Sequence, residues 1–229
     1  WSDISNATGS SYALASDQSD VGKYIRVTAI TTDARGGTTN FTSASSAVSN
    51  VNDTPTGSVT ISGTATEDQV LTASNNLADA DGLGNISYQW VRGSSDISGA
   101  TSSTYTLTQS DVGNAIKVKA SYTDSLGSSE SVASSATSSV VNVEDEATGT
   151  LAVTGTAAEG NTLGISFSPS DPDGSVSTVY QWQVSSDNSS WSDISNATGS
   201  SYALASDQSD VGKYIRVTAI TTDARGGTT

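Results

Sequence analysis

The chain has 229 residues, 9 basic and 24 acidic, with no histidine and no cysteine, for a net charge of −15. That balance excludes the basic face that nucleic acid requires. It also excludes thiolate or imidazole zinc sites, disulfides, and the cysteine or histidine that most neutral-pH hydrolase and transferase chemistry uses. Hydrophobic residues make up 34% and none of their runs is long enough to span a bilayer, so their regular placement, more than their number, argues for a fold.

Residues 1–53 open the chain with WSDISNATGSSYALASDQSDVGKYIRVTAITTDARGGTT, and residues 191–229 repeat the first 39 of these without a change. A repeat must be settled before any fold is assigned. Residues 1–53 therefore read as the latter part of one domain type, ending in NFTSASSAVSNVND. Residues 54–146 read as one complete domain of a related type, and residues 147–229 as a further copy of the first type that stops before its last strand. The chain is expected to be a segment of a longer tandem array.

In the complete domain, period-two alternation predicts strands at 58–62, 69–74, 86–93, 103–108, 115–124 and 131–143, with a weak one near Asp96–Ser98. DADG, SGAT, SDVG and DSLG punctuate them. Six or seven short strands in one domain predict an all-β, immunoglobulin-like seven-strand β-sandwich, repeated in tandem and joined end to end. Trp90 and Trp182 fit the third strand and a core position; Ile116, Val118 and Ala120 should alternate inward, as should Ile215, Val217 and Ala219. SDVGKY is similar to an immunoglobulin corner, although Tyr214 should face away from Ile215 and Val217. The second type carries seven extra residues after its tryptophan, where Trp191 (and Trp1 in the first copy) is expected to pack a longer hairpin.

The acidic residues fall in loops rather than along strands. Sandwich topology places Asp79, Asp81 and Asp124 at the end where the domain begins, and Glu67, Asp68 and Asp111 at the end where it exits. The exit linker adds Asn142, Glu144, Asp145 and Glu146, which should meet Asp171, Asp173 and Asp223 of the next domain. The preceding boundary offers Asp20, Asn50, Asn52 and Asp53 toward Asp79, Asp81 and Asp124. So many carboxylates in one place need a counter-cation. An oxygen-only donor set predicts Ca2+, which takes six to eight oxygens, over magnesium or zinc.

Glu67 in ATEDQ, Asp111 in SDVG, the linker VNVEDE, Asp171 and Asp173 in DPDG, and Asp223 in TTDARGG together resemble the cadherin calcium scheme. The cadherin D-x-N-D-N linker is not matched, and L-D-R-E is reduced to SDVG. GTATEDQVL, DADGLG, YQW, TYTLTQSDVG and VKASYTD further resemble the extender domains of giant bacterial RTX adhesins, across the whole chain. That resemblance implies a surface-tethered stalk, exported unfolded and folding in calcium-rich medium outside the cell. Its partners would be the neighbouring repeats of the same chain, with other cells, glycans or matrix reached through distal modules. No G-x-S-x-G elbow or base accompanies the many serines, so no enzyme is expected. A sheath- or filament-forming subunit and a glycan- or cell-binding module stay open as alternatives.

Overall fold

Alternation of buried and exposed side chains places the strands. Along Ile116–Thr123, the residues Ile116, Val118, Ala120 and Tyr122 are buried while Lys117 and Thr123 are exposed, the pattern of a sheet covered on one face. The computed structural model describes residues 1–229, whose regular elements are all β-strands apart from one 3₁₀ turn at Gln109–Asp111. They form two compact units, Trp1–Val141 and Asn142–Thr229.

In the first unit, residues 1–53 carry β1 (Tyr24–Ile25), β2 (Thr28–Thr32), β3 (Thr38–Thr42) and β4 (Ser46–Ala47). Strand β1 pairs with β4 and β2 with β3, both antiparallel. The rest of the unit holds β5 (Val59–Ser62), β6 (Val70–Asn75), β7 (Ser87–Arg92), β8 (Ser95–Asp96), β9 (Thr104–Thr106), β10 (Ile116–Thr123) and β11 (Ser129–Ala133). One antiparallel sheet has the order β5-β6-β9 and the other β11-β10-β7-β8. Leu71, Trp90, Leu107, Ile116 and Val118 are wholly buried in one apolar cluster with Val59, Ala120 and Val140. The five predicted strands from 58 to 124 form, with ends displaced by no more than two residues.

The last predicted strand, 131–143, does not form as one piece. Beyond β11, the Ser134 and Thr137 hydroxyls accept from the Val118 and Ile116 N–H groups at 3.1 and 3.0 Å. Side chains thus take places that backbone carbonyls would hold in a ladder. The chain then crosses over, and Val140 and Val141 make parallel bridges to Val112 and Thr66.

The second unit repeats the pattern with β12 (Ala152–Thr154), β13 (Thr162–Ser166), β14 (Ser177–Ser185), β15 (Ser192–Asp193), β16 (Ser201–Ala203) and β17 (Tyr214–Thr222). Its sheets are β12-β13-β16 and β15-β14-β17. Trp182, wholly buried, centres a smaller cluster with Leu163, Leu204 and Val217. The YQW motif explains itself in both units. The tryptophan Nε1 donates to a loop carbonyl (Ser102 at 2.9 Å, Gly199 at 3.0 Å). The glutamine amide beside it closes the hairpin on Ile97 (2.8 Å) or Ile194 (2.9 Å). The seven extra residues lengthen the β14–β15 hairpin, whose turn is held by Asp187 accepting from Ser189 and Ser190 N–H. Trp191 packs there under the Arg216 guanidinium, 4.2 Å from the ring centre.

Candidate metal centre

In the first unit, the loops after β6 and β10 and residues 50–53 bring carboxylates together. Asp79 and Asp81 lie in the loop between β6 and β7, and Asp79 Oδ1 accepts from the Asp81 N–H at 2.9 Å while Oδ2 takes the Tyr122 hydroxyl at 2.6 Å. That contact and burial push the Tyr122 hydroxyl pKa upward, burial being the larger cause. Asp124 lies in the β10–β11 turn, where Oδ1 accepts from Leu126 and Ser128 N–H at 2.8 and 2.9 Å. The two loops are stitched together by Ser125 N–H, which donates to the Asp81 and Gly82 carbonyls. From the linker, Asp53 N–H donates to Asp81 Oδ2 at 2.8 Å, and Gln18 Nε2 donates to Asp53 Oδ2 at 2.8 Å.

What remains after these bonds is a set of oxygens. Asp81 is 4% exposed and its Oδ1 has no donor; Asp124 is 5% exposed and its Oδ2 has none. Gln18 Oε1 and Asn50 Oδ1 are likewise buried without a donor. A buried acceptor left bare costs about 1–3 kcal/mol, more when charged, and nitrogen and sulfur ligands are absent from the set. This donor chemistry fits a hard divalent cation.

The second unit builds the same arrangement from its own residues. Asp171 Oδ1 accepts from Asp173 N–H at 2.8 Å, and linker Asp145 N–H donates to Asp173 Oδ2 at 3.0 Å. Asp223 Oδ1 accepts from Arg225 N–H and, at 2.9 Å, Gly226 N–H, while its buried Oδ2 has no donor. Carboxylate oxygens of Glu144, Asp173 and Asp223 all lie within 4.8 Å of one another, close enough to share a metal ion. Burial and then the charges of Asp223, Asp173 and Asp171 raise the Glu144 pKa. One cation of the chain's own, Arg225, stands 3.4 Å from Asp173 Oδ1.

Residues 145–224 match the model of a family described as Domain of unknown function (DUF8696). No curated protein matches the chain. Among solved structures it is similar to a Ca2+-stabilized adhesin that helps an Antarctic bacterium reach out and bind ice, at 14% identity over 90% of this chain and 54% of that one, with a TM-score of 0.36. It is also similar to a tetra-tandem repeat in the extending region of a large adhesion protein, at 17% identity over 91% and 55%, with a TM-score of 0.27. The chain spans about half the length of each.

Not every expected ligand joins these groups. Asp111 is wholly buried and uses both oxygens within its own domain: Oδ1 accepts from Arg92 Nε at 2.7 Å, and Oδ2 accepts from the Tyr105 hydroxyl (2.8 Å), Thr108 N–H (2.9 Å) and the Thr108 hydroxyl (3.0 Å). Burial pushes its pKa up, but the Thr108 N–H, Arg92 and the two hydroxyls outweigh it and hold the carboxyl below its usual range. Four donors thus take up both oxygens, and Asp111 stands as an internal staple apart from the groups above. Asp20 is held by a similar local contact, its Oδ2 accepting from the Tyr12 hydroxyl (3.1 Å) and Ala15 N–H (2.9 Å). The tyrosine that answers the SDVG aspartate thus lies six or eight residues before it; Tyr214 of SDVGKY is half-exposed.

Asp68 is an exposed turn residue with φ +62°, its N–H donating to the Leu107 carbonyl at 3.1 Å. Glu67 beside it is buried, its N–H donating to Val141 at 2.9 Å. Glu146 is exposed, and Asn142 Oδ1 is buried without a donor, as its counterpart Asn50 Oδ1 is. Asn52 is exposed and donates through Nδ2 to Glu130 Oε1 at 2.7 Å. Sequence reasoning missed Gln18, Arg92 and Arg225. A signal existed for the first, since QSDVG recurs at 18–22, 109–113 and 208–212.

Proposed function

We propose that this chain is part of a structural spacer: a run of immunoglobulin-like, cadherin-like domains in a large bacterial surface or secreted adhesin, stiffened by calcium where one domain follows another. The observation that carries the reading is the recurrence of one device. Each domain entry turns one aspartate inward on N–H bonds to a single oxygen (Asp124 in the first unit, Asp223 in the second) and leaves the other oxygen buried without a donor. At both, linker backbone binds the neighbouring D-x-D loop. A cation at such a place would tie linker and loops into one rigid joint. The resemblance of the repeats to adhesin extender domains supports a role whose product is length, and location outside the cell would supply calcium at the concentrations that extracellular modules use.

Thermal unfolding and small-angle scattering of the whole chain, with calcium and with chelator, test the reading. Ion binding to the folded state alone adds RT ln(1 + [Ca2+]/Kd), about 2.7 kcal/mol at a hundredfold excess over Kd. The expected result is a higher melting temperature and a longer, stiffer particle with calcium. Identical melting and scattering in the two conditions would remove the proposal.

A further inference from the structure

The two entry sites share a plan and differ in one ligand. Aligned by their loops, Asn52, Asp81 and Asp124 occupy the places of Glu144, Asp173 and Asp223. Asp81 and Asp173 play one part, each accepting a linker N–H on Oδ2. Asp124 and Asp223 play another, each more than nine-tenths buried (5% and 8% exposed) with Oδ2 bare.

The third position breaks the symmetry. Asn52 is neutral, and its amide is already engaged with Glu130. Glu144 is anionic, and its Oε1 crowds over Gly227 beside the bare Asp223 Oδ2, so that a side chain at Gly227 would strike both oxygens. We propose that the two sites bind divalent cations with unequal strength, the Glu144 site filling at lower calcium than the Asn52 site, because one carboxylate ligand is exchanged for an amide. The inference rests on the calcium reading above and adds an order of filling to it.

Calcium affinity follows the number of anionic ligands and the rigidity of the site. The D-x-D and linker N–H bonds recur at both sites, while the Ser125 N–H bonds that tie the two loops belong to the first alone and act against the difference in ligand charge. Arg225 opposes the difference, for Leu126 holds its place in the first unit. Its side chain is 40% exposed and 3.4 Å from Asp173, farther than the about 2.4 Å of a calcium–oxygen bond. Its long stem lets it leave when an ion arrives, so it weakens the site less than loss of a directly bound carboxylate would.

Calorimetric calcium titration of the whole chain reads the affinities, with circular dichroism confirming that each variant is folded. Wild type should show two classes of site separated by on the order of tenfold in Kd. Glu144→Gln should weaken the tight class until it merges with the weak one. Asn52→Glu should tighten the weak class, and Arg225→Leu should tighten the strong class further. A single affinity in wild type, or a tight class indifferent to Glu144→Gln, overturns the inequality while leaving calcium binding in place. No calcium binding in wild type overturns the inequality and the calcium reading together.

Discussion

Residues 1–39 and 191–229 are the same sequence in two surroundings, and they do not form the same structure. In the second unit, Tyr214–Thr222 is one unbroken strand, β17, laid against β14 over its whole length. In the first, the same residues form β1 and β2 with a break at Arg26 and Val27, and pair with β4 and β3 instead. Leu204 and Val217 are buried beside Trp182, whereas their copies Leu14 and Val27 are 52% and 62% exposed. Strand propensity is identical in the two places, so the partner strand and the tryptophan it carries decide strand length and burial. One feature survives the change of surroundings. The Asp20 staple, with its tyrosine and backbone N–H, recurs at Asp210, which accepts from the Tyr202 hydroxyl (3.3 Å) and Ala205 N–H (2.8 Å). Its parts lie within eight residues of one another, so it needs no distant partner.

The same substitution made in both copies should have unequal costs. Leu204→Ala removes a buried side chain from the Trp182 cluster and should cost about 2–5 kcal/mol. Leu14→Ala removes a half-exposed one and should change stability by no more than about 0.5 kcal/mol. Urea unfolding of the two variants checks it. Equal costs would mean that the first copy is packed as tightly as the second.

The next effect sharpens the contrast between the local staple and what a domain adds to it. The first unit has a further staple, at Asp111, and it alone of the three recruits a cation, Arg92 from β7. Val184 stands at the equivalent position of β14. Arg92→Val should therefore cost about 1–3 kcal/mol, since it removes a charged hydrogen bond from a wholly buried carboxylate. Val184→Arg should return less than about 1 kcal/mol, because Asp210 is only half-buried and an exposed pair is screened. Thermal unfolding of both variants reads the difference; a larger gain at 184 than loss at 92 would show that burial of the aspartate does not set the worth of the pair.

The staple also marks where sequence reading ended. Strands were legible because alternation and turn residues are local signals: Ile116, Val118 and Ala120 lie where the pattern placed them, and Trp90 is wholly buried. The convergence of Asp79, Asp81 and Asp124 was legible from topology, since loops at one end of a sandwich must be neighbours. The assignment of Asp111 was not, because a loop carboxylate facing a linker looks the same on paper whether its donors are metal or protein. Only the side-chain directions of Tyr105, on β9, and Arg92, on β7, distinguish the two. The break in the last strand was hidden for a related reason: Ser134 and Thr137 are ordinary residues in a serine-rich stretch until their hydroxyls meet β10.

The smallest expected effect is the acid limb of the Asp111 staple, and its sign is fixed by the direction of the shift. The folded domain holds this carboxyl below its usual pKa, so the unfolded chain binds the proton more readily. The staple's contribution is therefore fully present above the unfolded value, about 3.9, and is lost as pH falls through the folded one. Subtracting the stability of Asp111→Asn from that of wild type at each pH isolates the group, since the other carboxylates titrate alike in both. The difference should be constant from neutral pH down to about 5 and then shrink in stronger acid. A difference that widened as pH fell would mean that burial, not the four donors, controls this carboxylate.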